Sequence, residues 1–251
     1  MSGEYSESEP VLIRPGAFNR RIEVRENVVM AIMPPYLHLA RAIARASRKK
    51  RRLDWGGCWD VPEKRGGFSI AGPAIGAPNA VTMLESMIAF GAKNIIIIGC
   101  CGSIQSDLNI GDILLPLNAI SEEGVSAHYH PEKFTPEADA ELSARIAAIA
   151  RDKGWPVREG AVWTTDAPYR ETCAKVECYG RQGVLAVEME LSALFTAAKF
   201  RGAKLAAVLA VSDELASLKW RPGFLKPPFI VATMRTIRLA INTAASLKGR
   251  G

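Results

Sequence analysis

The chain reads as a single α/β domain with a largely parallel or mixed sheet, and three observations predict it. Apolar, β-branched runs such as Ile95–Ile98 are too short for helices and show no alternation, the mark of strands buried on both faces. Segments with apolar residues at three- and four-residue spacing separate these runs, which is helical spacing. Strand and helix patterns alternate along the chain with no linker and no internal repeat. Residues 11–251 are assigned to this domain, and residues 1–10, acidic and polar, to a flexible tail.

In order, Val11–Ile13 and Val28–Met33 are strand candidates, the second running into Pro34 and Pro35. Tyr36–Ser47 has helical spacing and Arg48–Arg52 closes it; Asp54–Gly67 reads as a loop or short hairpin. Phe68–Ala71 is a strand, Gly72–Pro78 a turn, and Asn79–Phe90 a helix that Gly91 can terminate. Ile95–Ile98 is the central strand; Ile113–Leu115 and Leu117–Ile120 follow the turn Asp107–Asp112. Pro136–Lys153 is a helix with Thr135 as its N-cap and proline at the first helical position. Val157–Trp163 is a strand, Thr164–Glu171 a loop, Thr172–Gln182 a helix and Leu185–Val187 a short strand. Glu188–Phe200 is a helix, Lys204–Val211 a strand ending in Ser212-Asp213, Trp220–Pro228 a Pro-rich loop, and Phe229–Leu247 the terminal helix.

Composition narrows the function classes. With 251 residues, 48% apolar and 23% charged, a normal globular core is available. Much of the net charge of +6 comes from Arg41, Arg45, Arg48, Lys49, Lys50, Arg51 and Arg52. A solvated helix end is the commonest reason for such a cluster, attraction of anionic small molecules the next. Nucleic-acid binding is not expected, because no aromatic residues interleave the run. The five cysteines, Cys58, Cys100, Cys101, Cys173 and Cys178, are odd in number and form no CxxC pair, which points to a reducing compartment without a zinc site. His128 and His130 lack a third ligand in a suitable pattern, so no metal is expected, and no cofactor. No apolar run approaches the ~20 residues of a membrane span, and the acidic N-terminus is not a signal peptide. A cytoplasmic protein with no membrane partner is expected.

The stretch that organises the chain is Gly91–Pro116, in which the Ile95–Ile98 strand runs into Gly99-Cys100-Cys101-Gly102-Ser103. Two glycines with small side chains between them let a ligand approach the backbone. In open α/β sheets ligands sit at the carboxyl ends of strands, where this turn would lie. A tight turn without a ligand fits the same residues equally well.

Three segments together resemble the nucleoside phosphorylases of the purine nucleoside and uridine phosphorylase type. They are Gly72–Pro78 with its helix and the Ile95–Asp112 stretch, Val187-Glu-Met-Glu190 opening a helix, and Val211-Ser-Asp213 at a strand end. The resemblance covers roughly Val28 to Leu247. It implies a three-layer α/β/α domain whose mixed central sheet is partly barrel-like. It also implies a homo-oligomer, a dimer or a trimer of dimers, and cleavage of the N-glycosidic bond of a nucleoside in salvage, with phosphate or water as acceptor.

The resemblance assigns roles residue by residue. Asp213 matches the leaving-group aspartate, with Ser212 beside it; an N-cap acid is the plainer role for that carboxyl. Glu190 would hold the ribose hydroxyls, Met189 would pack on the sugar and Glu188 would flank the site. First-turn helix acids held by the dipole describe Glu188 and Glu190 as well. Thr165, Asp166 and Tyr169 match the base-side loop, with Arg170 as added polar reach. Pro168 stands where the family usually has phenylalanine, so Tyr169 or Trp163 would supply the stacking ring. Gly99, Cys100, Cys101, Gly102 and Ser103 match the phosphate turn. The chain departs from the family at the acceptor side. Ile97 stands where the family has an arginine, and Met33-Pro-Pro-Tyr-Leu-His38 where it has Pro-Gly-Asp-Pro and a second arginine. A buried dianion needs paired cations. A phosphorylase, a nucleosidase using water, and a nucleoside-binding protein without turnover therefore all remain open.

Overall fold

The structure, a computed structural model, describes residues 11–15, 23–33, 51–53, 56–130 and 134–247. The expected tail 1–10, the helix Tyr36–Ser47, the basic side chains at 41, 45 and 48–52, and Pro34-Pro35 lie outside the residues or side chains described. The strands are β1 (Asn27–Ala31), β2 (Arg51–Leu53), β3 (Gly56–Asp60), β4 (Ser69–Gly72), β5 (Asn94–Ser103), β6 (Ile113–Glu122), β7 (Arg158–Thr165), β8 (Ala186–Glu188), β9 (Lys204–Glu214) and β10 (Arg221–Pro222). The helices are α1 (Ala77–Ala89), α2 (Ser126–Tyr129), α3 (Ala140–Asp152), α4 (Cys173–Arg181), α5 (Leu191–Phe200) and α6 (Pro227–Ser246).

The strands form one mixed sheet in the order β10-β9-β6-β7-β8-β5-β1-β4-β3-β2, with β9 also paired to β5. β5 is parallel to β9 along its whole length. On its other flank it pairs with β1 over Asn94–Ile98 and with β8 at Gly102 and Ser103. β9 pairs with β6, β6 with β7 and β7 with β8, so these strands and β5 close into a ring. β1, β4, β3 and β2 extend from the ring as an open wing. This is the mixed, partly barrel-like sheet anticipated above.

The unbroken apolar runs are buried on both faces because helices cover both. Ile95, Ile97, Leu205, Ala207 and Leu209 share a core with α1 and α5. Their alternates Ile96, Ile98, Ala206, Val208 and Ala210 share another with α3 and α6. Isoleucine and valine are stiff at χ1 and pack well on a pleated surface, which favours strand over helix here.

Several boundaries differ from the sequence reading. Gly99–Ser103 is not a turn: it is the second half of β5, still paired to β9. Val11–Ile13 lies exposed outside the sheet, and Arg51–Leu53 is a strand paired with β3. Leu115–Leu117 is continuous strand, with Pro116 at a register shift between β6 and β7. Helix α3 begins at Ala140, because Asp139 caps it by accepting from Leu142 N at 2.9 Å. The backbone of 136–138 is instead engaged along β6, through Ala119 N to the Pro136 carbonyl and Ala138 N to the Leu117 carbonyl. Helix α5 starts three residues later than expected, after Glu190. Among the described residues, no helix is long and apolar enough to cross a membrane.

Candidate active site

Two chain segments end side by side at one mouth of the ring, and a single bulge sets their geometry. The β5–β9 register shifts between Cys101 and Gly102, so Gly102 opposes Asp213 and Ser212 is passed over. A bulge of this kind re-aims a side chain. Ser212 Oγ lies 3.1 Å from the Cys101 carbonyl and 2.6 Å from Asp213 Oδ1, so its one proton serves either acceptor. Trp220 Nε1 donates to Asp213 Oδ2 at 2.9 Å. The carboxyl of Asp213 is thus held from both sides. A side chain at Gly102 would crowd this point: a Cβ there would stand 2.9 Å from Asp213 Oδ2 and 2.6 Å from Leu215 Cδ1.

The second anchor is the β8–α5 junction. Glu188 is buried and its Oε2 accepts from Glu190 N and Leu191 N, each at 2.7 Å. These are orphan donors at the start of α5, whose N-cap is Glu190, so the carboxylate of Glu188 does the capping. Thr164 Oγ1 donates to Glu188 Oε1 and accepts from Ser192 N. Ser192 Oγ donates in turn to the buried Glu123. This network fixes where Glu190 begins its reach. Glu190 Oε1 accepts from Gly76 N at 2.6 Å, just ahead of α1. Gly76 sits at φ 81°, a conformation glycine adopts freely, and this aims its N–H at the carboxyl.

Both anchors face one cavity of about 580 Å³, a size that accommodates a small organic ligand. Its wall includes Glu188, Met189, Glu190, Ser212, Asp213 and Tyr169, all expected from sequence. Cys100, Cys101 and Gly102 belong to it as well, through the bulged half of β5. Thr165, Asp166, Gly99 and Ser103 are not in the wall. Thr165 Oγ1 accepts from Ala167 N and Asp166 Oδ2 from Gly124 N, so both side chains tie the loop down. Ser103 Oγ donates to the Gln105 carbonyl. Trp163 is no stacking ring: it is fully buried, its Nε1 donating to Glu122. Arg170 and His128 are exposed and outside the wall, and His130 stacks on Phe134.

Among the wall residues that sequence reasoning missed, two carry polar groups: Glu171, at the end of the 3-10 turn Pro168–Arg170, and Trp220. Their loops have no periodicity, and neither residue belongs to a motif. The spacing of seven residues between Asp213 and Trp220 acquires meaning only once the chain turns back to let the indole reach the carboxyl.

Electrostatically the site is acidic. Its described wall carries the carboxyls of Glu171, Glu188, Glu190 and Asp213 and no basic side chain. Burial is the main cause raising Glu188 and Glu190 above the ordinary carboxylate range. Glu188 is compensated by Thr164 and two backbone amides; Glu190 has fewer donors and faces the charge of Glu188, so the proton of the pair resides on Glu190. Burial, then the charge of Asp213, pushes Glu171 up to about 7. Burial likewise pushes the Cys100 thiol up to about 12, leaving it neutral rather than nucleophilic. The cavity therefore offers several fixed acceptors, carboxyls able to carry protons, and the apolar surfaces of Met189, Ile32 and Ile75.

Comparison with known proteins places this arrangement in context. The family model described as the phosphorylase superfamily matches residues 63–235. The DeoD-type purine nucleoside phosphorylase of Bacillus cytotoxicus is 35% identical over 149 residues, 59% of this chain and 63% of that protein. Its Bacillus thuringiensis counterpart is 36% identical over the same shares. The match thus spans just under two thirds of the length of these relatives. The crystal structure of purine nucleoside phosphorylase from Toxoplasma gondii in complex with immucillin-H superposes with a TM-score of 0.79 at 20% identity, covering 89% of this chain and 91% of that one. Uridine phosphorylase from Vibrio fischeri superposes at 0.78 and 20% identity, covering 89% and 93%.

Proposed function

The chain belongs to the phosphorylase superfamily, and from that premise we propose that it cleaves the N-glycosidic bond of a purine nucleoside with phosphate as acceptor, a pentosyl transfer. The observation that carries this reading is the shared cavity of Glu190 and Asp213, each carboxyl held by its own donors. Glu190 grips the ribose cis-diol, since a carboxyl can bond both hydroxyls and fix the sugar for attack. Met189 packs on the sugar's apolar face, and Glu188 holds the α5 terminus that positions both. A phosphate oxygen then attacks the anomeric carbon while the bond to the base breaks. Negative charge develops on the base, and Asp213 in its protonated form gives a proton or hydrogen bond to the departing ring nitrogen. Tyr169 and Trp220 flank the base as stacking surfaces.

Asp213→Asn tests the assignment. Loss of general-acid assistance is expected to lower kcat by about 10²–10⁴-fold with the fold retained. An unchanged turnover on the substrate that the wild type cleaves removes Asp213 from the chemistry.

One observation favours a second reading: no basic side chain lines the described wall. A nucleosidase using water needs none. Product analysis separates the two, ribose 1-phosphate marking phosphorolysis and free ribose hydrolysis. A nucleoside-binding protein would release neither. The proposal further includes a cytoplasmic salvage role and assembly as a dimer or trimer of dimers; light scattering of the purified protein tests the assembly.

A further inference from the structure

Resting on the nucleoside-cleaving reading above, we propose that Glu171 determines base specificity: its carboxyl reads an N–H donor edge of the heterocycle and selects amino-bearing purines over purines that present only acceptors. Three of the wall's carboxyls already have their work. Glu188 accepts from two backbone amides and Thr164, Glu190 from Gly76, and Asp213 from Ser212 and Trp220. Glu171 accepts a hydrogen bond from no described residue, although it is half-buried in the same wall. A partly desolvated acceptor without a donor is destabilising, and a ligand N–H relieves it.

Its placement supports the role. Glu171 closes the turn Pro168–Arg170, which is braced by Arg170 N to the Ala167 carbonyl, Glu171 N to the Pro168 carbonyl and Thr172 N to the Arg170 carbonyl. The backbone is therefore fixed before any ligand arrives. Glu171 follows directly on the turn that carries Tyr169, and it shares the cavity wall with Tyr169, Trp220 and Asp213, the residues assigned to the base. A site built to bond a substrate N–H discriminates against the analogue lacking it, because its own polar group is left unpaired.

The test compares wild type and Glu171→Gln on adenosine, guanosine and purine riboside, the last having the same ring system without an amino group. Base release with phosphate and nucleoside affinity by calorimetry are both measured. Glutamine keeps the shape, weakens the acceptor and adds a donor. The expected result is a ~10–100-fold loss of kcat/KM on one or both amino nucleosides, with purine riboside unchanged or improved. Equal loss on all three, or no loss on any, overturns the proposal while leaving the cleavage reading intact. If the wild type binds but does not cleave, the same comparison of affinities decides it. If the wild type neither binds nor cleaves any of the three, the reading beneath it falls too. Thermal unfolding of the variant checks that the fold is retained, and Glu171→Ala repeats the comparison without the added donor.

Discussion

Replacing Gly102 by alanine isolates the bulge from the rest of the fold. The new Cβ would lie 2.9 Å from Asp213 Oδ2 and 2.6 Å from Leu215 Cδ1, against about 3.4 Å for an ordinary contact, with no backbone atom among its nearest neighbours. Both neighbours are far ends of side chains, so they move rather than the sheet. Asp213 must give way by roughly half an ångström, which stretches its bonds to Ser212 and Trp220, now 2.6 and 2.9 Å. Crowding of this size costs about 1 kcal/mol of stability, at the low end for overpacking. Displacement of a reacting group by 1 Å costs about 10²-fold, so a 10–100-fold fall in kcat/KM is expected. The assay is steady-state base release beside thermal unfolding, on Gly102→Ala and on Gly102→Ala combined with Leu215→Ala. The double variant removes the leucine clash and leaves the one at Asp213. Leu215 is itself buried and its truncation costs about 2–5 kcal/mol, so the comparison is with Leu215→Ala alone. Adding Gly102→Ala to it should cost little further stability but should still lower activity. Wild-type kcat/KM in the single Gly102 variant, or activity in the double one equal to that of Leu215→Ala alone, refutes the argument that the bulge exists to admit the Asp213 carboxyl.

Glu188→Ala should cost about 3 kcal/mol, since the buried amides of Glu190 and Leu191 lose their acceptor and α5 loses its cap; denaturant unfolding measures it. The raised acids set a direction with pH. Glu171 and Glu190 keep protons in the folded protein that the unfolded chain releases near 4.5, so the folded state binds more protons through the neutral range. Stability should therefore fall as pH rises from about 4.5 through the folded value near 7 of Glu171. Glu190→Gln should flatten that fall and raise Tm at pH 8 by a few degrees, on the order expected for about 1 kcal/mol in a chain of this size; a steeper decline than wild type would contradict the burial of a protonated Glu190. The same variant should lose nucleoside affinity, a trade of function for stability.

The layer architecture was legible because it depends on patterns that repeat within a few residues. Ile95–Ile98 and Lys204–Val211 read as strands covered on both faces, and the strand–helix alternation implied a largely parallel or mixed sheet. Glu190, Asp213 and their neighbours were found because their short motifs resemble those of a known family; from their position at strand ends alone they read equally as helix-capping acids. What stayed hidden depends on distant partners. Thr165 and Asp166 carry the right chemistry but spend it on local loop bonds, whereas Glu171 and Trp220 have no pattern and reach the cavity. The glycine pair read as a turn because nothing local reveals that β9 continues beside it and pairs with every residue to Ser103.

By itself, then, the order of residues determined the strands, the two-faced core and a short list of acids. Only tertiary structure decided which acid is held by Gly76 across 114 positions, which one caps a helix and which is left without a donor. The reason is physical. Burial on a strand follows from the side chains of that strand, but the protonation and aim of a carboxyl follow from donors and charges that the sheet's closure brings from elsewhere in the chain.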